Sequence, residues 1–204
     1  MDCTTCKAER CKKPEGALPK GCPMGEDELL KEAQSLLRKE ENLAFFQAVA
    51  KVEAEGYGRW PRVREIAEIC KRMGWTLIGL AFCTGMKSEA ETFSNIMQEY
   101  GIDTVAAMCK TGALPKEEFG LTDSDKVRPG TFEVICNPIM QALYLNKQAT
   151  PFNIILGLCA GHDALFTKYA TGFCTTLIAK DRVMAHNPAG ALYACRYSRK
   201  LLFD

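Results

Sequence analysis

Three separated stretches of the chain share one design: TLIGLAFCTG from Thr76, DTVAAMCKTG from Asp103 and FNIILGLCAG from Phe152. Each is a short apolar run that ends in a cysteine, and a glycine follows within three residues. Runs of this length without polar alternation suit strands buried on both faces of a parallel sheet. Between them lie segments of helical period. Ile66, Ile69, Cys70 and Met73 share one face of a helix opened by Pro61 and closed by Gly74. Ser88 and Glu91 read as a capping box for a helix that ends near Tyr100, with Gly101 just beyond it. Pro138 opens a helix through about Asn146, AGHDALFTKYATG reads as another, and CTTLIAKDR as a fourth strand. NPAGALYACRYSRKLL reads as one C-terminal helix. The third strand is placed at Asn153–Leu158.

Strand–helix alternation of this kind predicts βαβ units with right-handed crossovers. The expected fold is a three-layer, Rossmann-like α/β domain with a mainly parallel sheet, over residues 26–204. No G-x-G-x-x-G follows the first strand, which argues against a dinucleotide site. Helices are expected ahead of the first strand, with Leu29, Leu30, Ala33, Leu36 and Leu37 on one stripe and a break near Asn42. Residues 1–25 have no hydrophobic period and are rich in Cys, Lys, Pro and Gly. Such a segment orders only around a metal or a docking surface.

In parallel sheets the carboxyl ends of the strands share one edge, and ligands bind in the crevice outside it. Cys83, Cys109 and Cys159 fall at that edge. Cys136 stands in the CNP that opens a helix. The four are 26, 27 and 23 positions apart, about one strand–helix unit each. One such cysteine is readily explained as a small core residue. Three at the same place in a repeated unit point instead to a shared thiolate site. The set contains no C-x2-C pair of the structural-zinc kind. A four-iron cluster, ligated as a rule by four cysteines, accepts thiolates from separated loops. If Cys136 is not a ligand, one iron stands open to a substrate.

A second set, Cys3, Cys6, Cys11 and Cys22, reads C-x2-C-x4-C-x10-C with Pro23 after the last. Four thiolates suit Zn²⁺ or a second [4Fe-4S] cluster. Eleven cysteines in 204 residues is an odd number, and the N-terminus has no apolar export signal, so a disulfide framework is not expected. Cys70, Cys174 and Cys195 read as structural. Near the internal site, His162 and Asp163 follow Cys159, and Lys180, Asp181, Arg182 and His186 follow the fourth strand. His162, Asp163, Lys180 and His186 are the candidates for acid–base or charge-stabilising work. Each also has an ordinary role as a helix cap, a carbonyl partner or a solvated charge.

The motifs CTTCKAERC and GLCAGHDALFTKY…LIAKDRVMAHNPAGALY resemble a family of uncharacterised metal-binding proteins, a domain of unknown function found mostly in anaerobic bacteria and archaea. The resemblance implies metal binding through Cys3, Cys6, Cys11 and Cys22 and supplies no reaction. Strand-end cysteines also resemble the cluster-bearing Rossmann-like domains of carbon monoxide dehydrogenase and hybrid-cluster proteins, at the level of architecture. The resulting expectation is an iron–sulfur protein with two centres, engaged in electron transfer or cluster-assisted redox chemistry with a partner protein or small molecule. The alternatives are a zinc-binding module with a ligand-binding α/β domain, and a carrier of metal or clusters. A net charge of +1 and a pI near 7.4 exclude an electrostatic nucleic-acid binder. With no run of about 18 apolar residues, no membrane association is expected, and the cytoplasm is the expected compartment.

Overall fold

The computed structural model describes residues 3–13, 15–196 and 199–203. The chain forms two compact units, one up to Tyr57 and one from Gly58 onward. The boundary drawn after residue 25 falls inside the first unit. There, 3-10 turns at Cys3–Thr5 and Pro23–Gly25 precede helices α1 (Asp27–Leu37) and α2 (Glu40–Gly56). The break between them lies at Arg38 and Lys39, a few residues before Asn42. Asn42 sits in the first turn of α2, and its Nδ2 donates to the Leu36 carbonyl at 2.9 Å. That bond satisfies one of the carbonyls that every helix end leaves without a partner.

In the second unit α3 (Arg62–Met73) stops at Gly74, whose φ of 67° is the left-handed turn that glycine adopts without strain. Strand and helix then alternate: β1 (Leu77–Phe82), α4 (Lys87–Glu99), β2 (Asp103–Met108), α5 (Pro138–Lys147), β3 (Phe152–Leu156), α6 (His162–Tyr169) and β4 (Phe173–Ile178). All neighbouring strands pair in parallel, in the order β2-β1-β3-β4. The crossover β1–α4–β2 runs one way along the sheet, whereas β2–α5–β3 and β3–α6–β4 run the other way. Right-handed crossovers therefore put α4 on one face and the mutually packed α5 and α6 on the opposite face. The result is the Rossmann-like three-layer arrangement anticipated from the sequence. Because the connections from β1 and β3 diverge, a crevice opens between the carboxyl ends of these two strands.

Three local expectations are corrected. The Ser88–Glu91 capping box does not form: a 3-10 turn at Thr84–Met86 runs straight into α4, so Ser88 already lies inside the helix and its Oγ meets Glu89 Oε2 at 2.9 Å. β3 ends at Leu156 instead of Leu158, because Gly157 turns to a φ of 67°. The C-terminal helix is not continuous. It is split into α7 (Ala189–Tyr193) and α8 (Arg199–Phe203), with exposed Cys195 between them. Residues 197 and 198, over which that helix was expected to run, lie outside the described residues. A single-turn helix whose Leu192 and Tyr193 are exposed gains little packing to extend it. Cys195 therefore has no core role, unlike buried Cys70.

One buried side chain ties the carboxyl edge together. Gln141 of α5 is fully buried, and its Nε2 donates to the carbonyls of Phe82 and Ala107, the ends of β1 and β2. Replacing it by methionine keeps the volume and removes both bonds. The expected loss is about 2 kcal/mol of unfolding free energy, read as a lower urea midpoint with an unchanged slope. An unchanged midpoint would show that Gln141 does not hold these strands.

Candidate functional site

The edge that Gln141 braces carries the cysteines. Cys83 and Cys109 continue the parallel register Phe82↔Met108 by one residue, which sets them side by side. The Cys83 amide donates to Leu156 O at 3.1 Å and the Cys109 amide to Phe82 O at 2.9 Å, extending the ladder through both. Both side chains are buried and pack with Ala142, Leu145, Leu158 and Phe166. Cys136 arrives from the long segment between β2 and α5. The amide of Asn137 donates to Cys109 O at 2.7 Å, and its Oδ1 accepts from Met140 N at 3.0 Å, capping α5. Cys159 follows β3, and its carbonyl accepts the His162 and Asp163 amides at 2.9 and 3.2 Å. Gly157 shapes this turn, since a Cβ there would strike Met86.

These four cysteines line one cavity of about 520 Å³, within the range of ligand sites. Its lining also includes Thr84, Lys110, His162 and Arg182. Electrostatics divides the thiols. The Cys109 thiol stands between Cys136 and Cys83 and keeps its proton far above the usual range, because that proton is held in hydrogen bonding to Cys136 and Cys83 and burial disfavours its loss. Cys83 is drawn down to about 4, first by the hydrogen bond from Cys109, against burial, and then by the Gly85 amide and Lys180. Cys136 is drawn down to about 5 by the same Cys109 bond, against burial, with help from Lys110 and His162. Cys83 and Cys136 thus favour the thiolate, the metal-binding form. By contrast, burial alone pushes Cys70 up to about 12 and Cys174 up to about 11, which suits inert core thiols.

Three of the cavity cysteines accept a hydrogen bond of their own. Lys180 Nζ is 3.3 Å from Cys83 Sγ, Arg182 donates to Cys159 Sγ at 3.2 Å, and the Thr84 amide donates to Cys109 Sγ at 3.3 Å. Lys110 lines the cavity with Cys136, and its Nζ donates to the Val134 carbonyl. Lys180 and Arg182 are presented by a tightly folded loop after β4. In it Asp181 Oδ1 accepts from the amides of Val183 and Met184, and the Asp181 amide donates to His186 Nδ1 at 3.1 Å. The structure therefore spends His186 on closing this loop, away from the cavity lining. Asp163 is likewise turned to the Gly161 and Ala164 amides at 2.9 and 2.8 Å. Of the four polar candidates, His162 lines the cavity and Lys180 touches a thiol. The stretch KTGALPKEEFGLTDSDKVRPGTFE reads in the sequence as a long irregular insertion, and neither it nor Lys110 was expected at the site.

That segment forms the cavity's outer wall. Phe119, Leu121, Val127 and Ile135 line the space. A bridge between Pro115 and Val134 closes its base, and Lys116 pairs with Glu133 at 2.9 Å. Lys126 pairs with Glu117 and Asp123, whose carboxylate also accepts the Gly130 amide. A capping box at Thr122 and Asp125 completes the bracing.

In the N-terminal unit Cys3, Cys6, Cys11 and Cys22 line a cavity of about 290 Å³ with Arg10, Pro19 and Pro23. Turn bonds from Cys6 N to Cys3 O and from Cys22 N to Pro19 O fold the segment around it. Among the described residues, no three His, Cys, Asp or Glu side chains are drawn together as a ready cage for a single metal ion. At the internal site this geometry fits a group larger than one ion, since four thiols surround a space of 520 Å³. No helix among the described residues is long and apolar enough to cross a membrane.

Fold and site together define a cysteine-rich α/β protein with a thiol-lined cavity at the carboxyl edge of a parallel sheet. The chain belongs to the family described as "Protein of unknown function (DUF1847)", whose family model matches residues 22–177. It is similar to the uncharacterized protein MJ0455 of Methanocaldococcus jannaschii, with 43% identity over 165 residues, covering 81% of this chain and 83% of that protein. No solved structure matches. The family match begins at Cys22, so it includes the four cavity cysteines and leaves Cys3, Cys6 and Cys11 outside.

Proposed function

We propose that this protein is an iron–sulfur protein in which Cys83, Cys109, Cys136 and Cys159 hold a [4Fe-4S] cluster, acting in electron transfer or redox chemistry on a small molecule. The observation that carries this reading is the convergence of four cysteines, from the ends of three strands and one loop, on a single cavity at the switch point of the sheet. Thiolates are favoured at Cys83 and Cys136 without metal, and Cys83, Cys109 and Cys159 each accept a hydrogen bond of the kind that supports a ligating thiolate. When bound, the cluster supplies one-electron chemistry. The chain's own residues hold it, neutralise it and limit water: the segment at residues 110–135 walls one side with apolar side chains, and His162 stands at the cavity as a proton carrier.

Cys3, Cys6, Cys11 and Cys22 would hold the second centre, a cluster that relays electrons or a Zn²⁺ that fastens the segment. The test is the full-length chain carrying Cys6→Ser and Cys11→Ser, purified without oxygen. Brown protein with about four iron and four sulfide, one cluster's worth, and a visible absorption bleached by dithionite is the expected result. Colourless protein without sulfide would overturn the internal cluster.

A further inference from the structure

Three cations stand at the cysteine cavity. Lys180 is seated on Cys83 and Arg182 on Cys159, and Lys110 lines the same cavity as Cys136. The remaining charged lining residues, Lys116 and Glu133, neutralise each other, and exposed Glu89, whose carboxylate feels the Lys180 charge, is not among the lining residues. A four-iron cluster with four thiolates is a dianion when oxidised and a trianion when reduced by one electron. Three cations offset the trianion in full. A cavity built only to hold the oxidised cluster would be over-neutralised by one charge.

Resting on the cluster reading above, we propose that Lys110, Lys180 and Arg182 are positioning residues that stabilise the reduced state of the internal cluster and set its reduction potential high for its type. The protein takes up one electron from a one-electron donor; no bond to sulfur breaks, and the added charge meets cations already in place. Net cluster charge and hydrogen bonds to sulfur are the recognised levers on such potentials. Lys110 and Lys180 are half-buried and should act more strongly than exposed Arg182, whose charge is screened by water and salt.

The experiment is a potentiometric titration, followed by absorption and electron paramagnetic resonance, of the full-length chain in the Cys6→Ser, Cys11→Ser background. Lys180→Met and Lys110→Met should each shift the reduction equilibrium about tenfold toward the oxidised form, a fall of 59 mV for one electron. Lys180→Arg should stay close to the parent. A variant that keeps its iron and sulfide but titrates at the parent potential overturns the proposal and leaves the cluster reading intact. A parent chain without iron and sulfide overturns both. If Lys180→Met fails to retain a cluster, Lys180→Arg decides: retention there supports a role for the charge, and loss in both overturns it.

Discussion

Cys159→Ser is expected to remove the internal cluster and leave the fold standing. Iron and sulfide should each fall by about four per chain, one four-iron cluster's worth, whether the N-terminal set holds a second cluster or Zn²⁺. Cys159 is the internal cysteine best suited to this test. It is only partly buried, and its backbone carbonyl, not its side chain, holds the start of α6. Serine keeps that carbonyl and leaves a hydroxyl beside Arg182. Far-ultraviolet circular dichroism and the urea midpoint should therefore stay close to the parent apoprotein while the internal cluster's iron and sulfide are lost. The same change at Cys70, buried in α3 and remote from the cavity lining, should cost stability and leave metal content alone. Full metal content in Cys159→Ser would remove Cys159 from the ligand set.

The second large effect concerns the sheet on which the site stands. Gly79 lies in the middle of β1, where a glycine weakens a strand unless something approaches closely. A Cβ there would fall 2.0 Å from Asn153 Oδ1, 2.9 Å from a Leu145 methyl and 3.0 Å from Thr150 Oγ1. All three neighbours are buried, and Thr150 Oγ1 donates to Asn153 Oδ1 at 2.7 Å. Gly79→Ala must push this pair apart or displace α5, which also carries Gln141 and follows directly on Cys136. Overpacking together with a strained buried hydrogen bond predicts a loss of about 3–5 kcal/mol. In a domain of marginal stability that is a large fraction of the total, so the variant should express poorly and lose cluster along with fold. Wild-type thermal and urea stability in Gly79→Ala would show that the Asn153–Thr150 pair has room to move.

β1 and β3 were legible because both of their faces are buried, which leaves no polar alternation to confuse the period. β2 is an edge strand, exposed at Asp103 and Ala106, yet it spans Asp103–Met108 as its sequence suggests, and the cysteines follow from the rule that parallel strands end on a common edge. What was not legible depends on contacts between distant residues. Gly79 carries no chemical mark of the side chains that crowd it. Lys110 looks like a solvated charge until the segment ending at Val134 folds back over it. Asp163 and His186 looked like candidates for chemistry because of their position in the chain, yet their hydrogen bonds go to neighbouring loop amides. The C-terminal helix failed for a related reason. A helical pattern of apolar residues predicts a helix only where the rest of the fold offers a surface to cover them, and Leu192 and Tyr193 stay exposed.

The central claim is that the two cysteine sets are metal centres and that the inner one is a cluster. Quantifying iron, zinc and acid-labile sulfide in the full-length protein, purified without oxygen, tests it most directly. Brown protein with about eight iron and eight sulfide per chain is the expected result, or about four of each with one zinc if the N-terminal set holds Zn²⁺. Colourless protein with no sulfide, whatever its zinc content, would contradict it.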